Sequence, residues 1–579
     1  MRIHWDLPVP MDDGVELRAD VFLPDDGPGE LAGPGAWPAL LSCGPYGKGL
    51  AFQDGYPTAW QTLVGEHPEV LEGSTGRYQN WEVVDPEKWV VEGYAVVRVD
   101  SRGCGRSPGR VDHFSRREVD DHVACIAWAA AQQWCDGAVG LSGVSYYAMA
   151  QWQVAARRPP ALKALCIWEG AADFYRDATH HGGVLSTFWE HWYDKQVKGL
   201  QHGRGEHGPR HPVTGLAACG PETLTEAELA ANRVDFGAEI RAHPFLDDYH
   251  RERTAAWSDI EVPLLSSGNW GGQGLHLRGN VEGYLAAGSP RKWLELHGLE
   301  HWTTYYTDHG RAIQLAFFDH VLKGRDNGWD RRPAIQLQVR QVDGTFTERF
   351  EEAWPLVGTS WERLHLQAGG TDGVLVPGEP ATGQVRFDPA GDGVTFHADP
   401  VDRATEITGP LSARLWVSTT AAEADLFLAL RVLDPQGDEV TFTGAVDPRA
   451  PATLGWLRLS HRELDTGRSL PHRPVHTHSG PAPVRAGECY EVEVELWPTC
   501  VVLPPGYRLA LTVRGRDYEN DVAGGATMSN FKNVLRGCGP FLHDDPLDRA
   551  AARLAGLTTL HCGPGTPSSL LVPVVPAHR

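Results

Sequence analysis

Trp134-Cys-Asp-Gly-Ala-Val-Gly-Leu-Ser-Gly-Val-Ser-Tyr-Tyr-Ala-Met-Ala-Gln-Trp152 is the stretch on which the reading of this 579-residue chain turns. A short apolar run, Ala138–Ser142, ends at Gly143, and a helix-compatible run opens after Ser145. A serine on such a tight strand-to-helix turn presents its Oγ at the edge of a sheet. The backbone N–H of the next residue, Tyr146, points into the same space and is placed to stabilise an oxyanion. Gly143 supplies the small residue that lets the turn close. The full G-x-S-x-G pattern is not met, because Tyr147 stands at the last glycine position and the next small residue is Ala148. On pattern alone Ser145 is also readable as the cap of the following helix.

Outward from this turn, residues of about 15 to 345 alternate between buried-strand runs and helical patterns, as in a parallel sheet covered by helices. The strand candidates are Pro38–Cys43, Tyr94–Asp100, Ala138–Ser142, Leu162–Trp168, Val262–Ser267 and Lys292–His297. Val119–Trp134 and Arg311–Lys323 carry apolar residues at helical spacing. The alternation breaks at about 171–255, a segment rich in Trp, His, Glu and Arg that reads as a helical insertion over the sheet's carboxyl edge. After about 346 period-two runs dominate, among them Tyr490–Trp497, Tyr507–Arg514, Ala413–Ser418, Leu426–Leu433 and Leu570–Val575, as in an antiparallel sandwich.

The net charge is −23 and the pI near 5.5, a field that repels phosphate backbones and disfavours nucleic acid. Hydrophobic residues at 41% and charged residues at 22% fit a folded chain. The N-terminus does not read as a signal peptide, and no run of about 18 apolar residues exists to span a membrane. Ten singly scattered cysteines argue against a zinc ribbon or a disulfide scaffold. A cytoplasmic protein with reduced core thiols is the expectation.

Several segments, in order, resemble the X-Pro dipeptidyl-peptidase and cocaine-esterase group of α/β-hydrolase serine hydrolases. Gly143–Ala148 looks like its nucleophile elbow, Met11–Pro24 its opening hairpin and Cys43-Gly-Pro-Tyr-Gly-Lys48 its oxyanion loop. Asp100-Ser-Arg-Gly-Cys-Gly-Arg-Ser-Pro-Gly109 is similar to its D-x-R-G-x-G-x-S turn, Ala172–Asp177 to the start of its cap, and Phe317–Gly324 to the helix closing its hydrolase domain. The resemblance spans nearly the whole chain. It implies an α/β-hydrolase domain at 1–170 and 255–345, a helical cap at 171–254, and a jelly-roll β-sandwich at 346–579. A homodimer is an expectation from the family alone.

The resemblance also assigns roles. The oxyanion hole would be the Tyr46 hydroxyl with the Tyr146 N–H; the alternative for Tyr46 is packing in a Gly-Pro turn. The base is a histidine after the last strand, where His297-Gly-Leu-Glu-His301 offers two. Position in the family pattern favours His301, leaving His297 as a buried, hydrogen-bonded core residue. The third triad member is where the sequence departs, since Gly272 stands where the family has an aspartate. Glu169, after the strand that follows the elbow, is the favoured replacement and Asn269 an alternative; Glu300 is poorly placed and Asp308 more remote. Phe174, Tyr175, Phe188, Trp189 and Trp192 either line an acyl pocket or form the core of the insertion. His180, His181, His191, His202, His207 and His211 lack metal-site spacing, so no metal or other cofactor is expected.

The expectation is a serine hydrolase of small ester or amide substrates, working through an acyl-enzyme at Ser145 with His301 as base. An acyltransferase using the same acyl-enzyme, or a binding protein with a decayed triad that recognises a carbohydrate or partner, are the competing readings.

Overall fold

A computed structural model of the chain describes residues 1–25, 37–520 and 534–576. The alternating half builds a ten-stranded sheet: β1 (Arg2–Pro10), β2 (Glu16–Leu23), β3 (Trp37–Gly44), β4 (Ala95–Asp100), β5 (Cys135–Val144), β6 (Leu162–Trp168), β7 (Leu264–Asn269), β8 (Lys292–His297), β9 (Ile335–Arg340) and β10 (Phe346–Glu351). The spatial order is β1-β2-β4-β3-β5-β6-β7-β8-β9-β10. The run from β4 to β9 is parallel, with β1, β2 and β10 added antiparallel at the two edges. The six strands expected from apolar runs are all present, because a strand covered on both faces reads as a continuous apolar run. The chain winds one way from β3 to β4 and the other way from β5 onward. A crevice therefore opens beyond the carboxyl ends of β3 and β5, the place where open α/β sheets bind ligands.

Helices α1 (Arg116–Ala130), α2 (Tyr146–Ala156), α3 (Leu277–Ala286) and α4 (Asp308–Lys323) cover the sheet. The Ser115 hydroxyl accepts the Glu118 N–H and starts α1; Thr307 caps α4, which Gly324 ends in the left-handed conformation. Helix α2 is buried nearly all round, which explains its lack of an amphipathic pattern. Between β6 and β7, residues 171–254 form short helical turns and a two-residue hairpin, His180–His181 with Val184–Leu185.

The remaining strands, from Ser360–Gly369 to Ser569–Val575, form a second, twelve-stranded sheet, antiparallel except where Asp372–Val376 meets Val394–Ala398. The jelly-roll sandwich expected here is not found as two separate sheets. Ser569–Val575 pairs with both Ser360–Gly369 and Thr405–Thr419, so the hydrogen bonding runs round a closed ring, a barrel. The long strand Thr405–Thr419 makes closure feasible: a bulge between Gly409 and Leu411 bends it while it pairs with Tyr490–Leu503 on its other edge. The change of sheet also falls later than 346, because β10 hydrogen-bonds to β9 in the first sheet. All ten cysteines are free. Among the described residues no helix is long and apolar enough to cross a membrane.

Candidate active site

Each candidate lies just beyond the carboxyl end of a parallel strand: Tyr46 after β3, Ser145 after β5, Glu169 after β6, Asn269 ending β7 and His301 after β8. Ser145 has φ 58° and ψ −116°, a strained conformation for a residue with a Cβ and the mark of a nucleophile turn. Its carbonyl accepts the Ala148 and Met149 N–H groups at 2.9 and 2.8 Å, which sets the first turn of α2. Its side chain is half-buried, and among the described residues its Oγ has no hydrogen-bond partner. Tyr147 replaces the expected glycine because its bulk is accommodated elsewhere. A Cβ on Gly143 would lie 2.4 Å from the Tyr147 Cβ, and one on Gly44 would lie 2.6 Å from its ring.

The Tyr146 N–H stands at the first helical position, where no intrahelical acceptor exists. The Tyr146 ring is held from below, its hydroxyl donating to the Glu118 carboxylate at 2.6–2.7 Å and lying 3.0 Å from His113 Nδ1. Burial pushes the Glu118 carboxyl up to about 7. Tyr46 is buried, its ring 5.6 Å from that of Tyr147, and its hydroxyl accepts the Trp192 Nε1–H at 3.0 Å. Burial, with Glu82 nearby, holds its phenol well above the usual tyrosine range, so it stays neutral.

His301 donates its backbone N–H to the Ala445 carbonyl at 3.0 Å, so the second sheet's domain braces the histidine loop. Its Nε2 lies 2.9 Å from Glu82 Oε1. Burial lowers its pKa, and the charge of Glu169 and the Ala445 carbonyl partly oppose this. Glu82 is a residue that the sequence reading missed. It has φ 62°, its carbonyl accepts the Val144 N–H at 2.9 Å and its Oε2 has no partner, so one residue ties the serine turn to the imidazole. Burial pushes its carboxyl well above the usual range. The available signal was a lone acid in the apolar run Trp81-Glu-Val-Val84.

Glu169 is fully buried at φ 54°, and its Oε1 lies 3.3 Å from His297 Nε2. His297 is the buried, bonded core residue expected: its Nδ1 lies 2.7 Å from Glu295 Oε2, and against the burial that would lower it, Glu295 and Glu169 carry its pKa up to about 9. Burial raises the Glu169 carboxyl, while His297 and the charge of His301 pull it down. A Cβ on Gly272 would lie 3.3 Å from Glu169 Oε2, so this carboxyl group lies beside the position where the family pattern places its aspartate. Asn269 instead braces loops, accepting the Gly271 N–H and donating to the Gly298 and Leu299 carbonyls. Glu300 accepts from the Thr303 hydroxyl, and Asp308 is an exposed partner of Lys88 and Arg311.

Phe174, Tyr175 and Trp189 are buried in packing. Trp189 donates to the Ala178 carbonyl, and Tyr175 stacks on His180 with its hydroxyl on the Pro244 carbonyl. Phe174 packs 5.6 Å from Phe114. The aromatic residue of the insertion that hydrogen-bonds to Tyr46 is Trp192. Among the described residues no group of three or more His, Cys, Asp or Glu side chains is arranged to hold a metal ion.

Comparison with known proteins agrees with this architecture. Residues 13–303 match the model of the X-Pro dipeptidyl-peptidase (S15 family), and residues 327–571 that of the X-Pro dipeptidyl-peptidase C-terminal non-catalytic domain. The chain is 26% identical to a cocaine esterase of Rhodococcus sp. (strain MB1 Bresler), over 98% of this chain and 97% of that protein. It is 24% identical to a putative serine esterase of Mycobacterium bovis, over 92% and 91%. The crystal structure of a CocE/NonD family hydrolase from Staphylococcus aureus superposes with a TM-score of 0.83 at 30% identity, covering 99% of this chain and 94% of that one. The strained serine turn at the sheet's switch point and these two family matches lead to one conclusion: the chain belongs to the X-Pro dipeptidyl-peptidase (S15) family and is an enzyme, a serine hydrolase of the esterase and peptidase type.

Proposed function

We propose that the enzyme cleaves a small ester or amide through an acyl-enzyme on Ser145. The observation that carries this reading is the strained Ser145 turn after β5, with no hydrogen-bond partner on its Oγ among the described residues, beside the end of the adjacent strand β3 that Tyr46 follows. His301 leaves Glu82, takes the Ser145 proton as Oγ attacks the carbonyl carbon, and returns it to the leaving oxygen or nitrogen. Tyr46 and the Tyr146 N–H hold the negative oxygen of the tetrahedral intermediate. A water, deprotonated by the same imidazole, then attacks the acyl carbon and frees Ser145. Glu169, anchored by His297, supplies the negative charge that favours the His301 imidazolium, standing in for the aspartate that Gly272 lacks. The segment 171–254 acts as the cap. The names of the relatives, cocaine esterase and putative serine esterase, support an ester substrate.

A fluorophosphonate is expected to label Ser145, and Ser145→Ala to lose both labelling and ester turnover. Turnover by Ser145→Ala at the wild-type rate would reject the assignment. Product analysis with added amine or alcohol acceptors separates hydrolysis from acyl transfer.

A further inference from the structure

Trp192 belongs to the inserted segment, yet its indole touches the Tyr46 hydroxyl of the proposed oxyanion hole and the ring of Tyr146, the residue whose N–H is the other donor. Its ring stacks on that of Tyr146, with centroids 5.8 Å apart and planes at 14°, and its Nε1–H donates to the Tyr46 hydroxyl at 3.0 Å. The indole is fixed in turn by Trp189 and His113, each with its ring centroid 5.1 Å away, and it is almost fully buried.

The direction of this hydrogen bond follows from chemistry. An indole N–H only donates, whereas a phenol oxygen has one proton and two lone pairs. Tyr46 must therefore accept, and its own proton has to point elsewhere. Among the described residues no acceptor takes that proton. It is left for an oxygen of a bound substrate. Accepting a hydrogen bond also polarises the phenol, strengthening its O–H as a donor. Phenylalanine at 192 would stack on Tyr146 but leave the Tyr46 hydroxyl free to rotate.

We propose that Trp192 is a positioning residue for catalysis: its indole N–H occupies the acceptor side of the Tyr46 hydroxyl and so aims that hydroxyl's proton at the developing oxyanion. The inserted segment thereby takes part in the chemistry as well as covering the site. This inference rests on the reading of Tyr46 as an oxyanion donor.

The test is a double-mutant cycle of Trp192→Phe and Tyr46→Phe, with kcat and KM measured on a neutral p-nitrophenyl ester and thermal unfolding measured alongside. Loss of one oxyanion donor costs about a hundredfold or more in kcat, so Tyr46→Phe is expected to fall by about that factor. Trp192→Phe, which misaims the donor without removing it, is expected to lose about tenfold in kcat with KM within about twofold. In the Tyr46→Phe background Trp192→Phe is expected to change nothing further. A Trp192→Phe loss that persists undiminished in that background overturns the proposal, because loosened packing would act whether or not the phenol is present. Full activity of Trp192→Phe beside a crippled Tyr46→Phe also overturns it, and leaves the oxyanion reading standing. Full activity of Tyr46→Phe rejects that reading itself.

Discussion

Gly272→Asp puts the family's aspartate back at its usual position, and in this protein it is expected to do harm. The glycine is not in the left-handed region, so the backbone accepts the substitution. The space is the obstacle: a Cβ there would lie 3.3 Å from Glu169 Oε2 and 3.0 Å from the Asn269 carbonyl oxygen. The new carboxylate would come to about 4 Å from that of Glu169, where two like charges repel by about 4 kcal/mol at an effective dielectric constant near 20. That energy equals about three pKa units, so one acid of the pair would stay protonated at neutral pH. Gly272→Asp should therefore lower the unfolding temperature and bring no gain in turnover. Glu169→Ala alone removes the charge behind His301 and is expected to lower kcat about a hundredfold, about 2.7 kcal/mol of barrier. Combining the two relieves the clash and supplies an acid again, so the double variant should be more active than either single one. The assay is kcat/KM on a neutral ester with thermal unfolding for all four proteins. Faster turnover by Gly272→Asp alone, or wild-type turnover by Glu169→Ala, would refute the reasoning.

Other outcomes follow from the buried titratable groups. Burial lowers the His301 pKa, so the acid limb of the kcat/KM profile should lie below the ordinary histidine value of 6.5. Glu169→Gln, by removing a charge that holds this pKa up, should move the limb to still lower pH; an unmoved limb would exclude that coupling. Because burial keeps Glu82 protonated above its ordinary 4.5, the folded state holds a proton that the unfolded chain releases as pH rises. Wild type should thus lose stability relative to Glu82→Gln with rising pH, by about 1.4 kcal/mol per unit in that window. A pH-independent gap between their unfolding temperatures would count against it. Where the insertion meets the second sheet, His461 Nδ1 lies 3.0 Å from His478 Nδ1, and burial lowers both, His461 to about 4. Between 6.5 and the lowered values the unfolded chain binds protons that the fold excludes, so stability should drop as pH falls. His461→Gln with His478→Gln should flatten that slope; an unchanged slope would remove these two residues from the account.

The sequence by itself determined the parallel strands, the serine turn and the places of Tyr46, Tyr146 and His301. Each of these is a local property, an apolar run followed by a short loop whose direction the strand end fixes. Glu169 was within reach of the same logic, since it too follows a parallel strand. Its partnership with His297, and the nearness of its carboxyl group to Gly272, depend on how neighbouring strand ends line up in register. Glu82 and Trp192 could not be placed beforehand. They meet His301 and Tyr46 across 219 and 146 residues of chain, from a loop and a one-turn helix too short to carry a periodic signal. The closed second sheet has the same origin, because period-two strands reveal which face is buried while the choice of neighbour belongs to long-range pairing. Tertiary packing decided those contacts because their energy comes from burying groups that have no reason to meet until the sheet has brought its strand ends together.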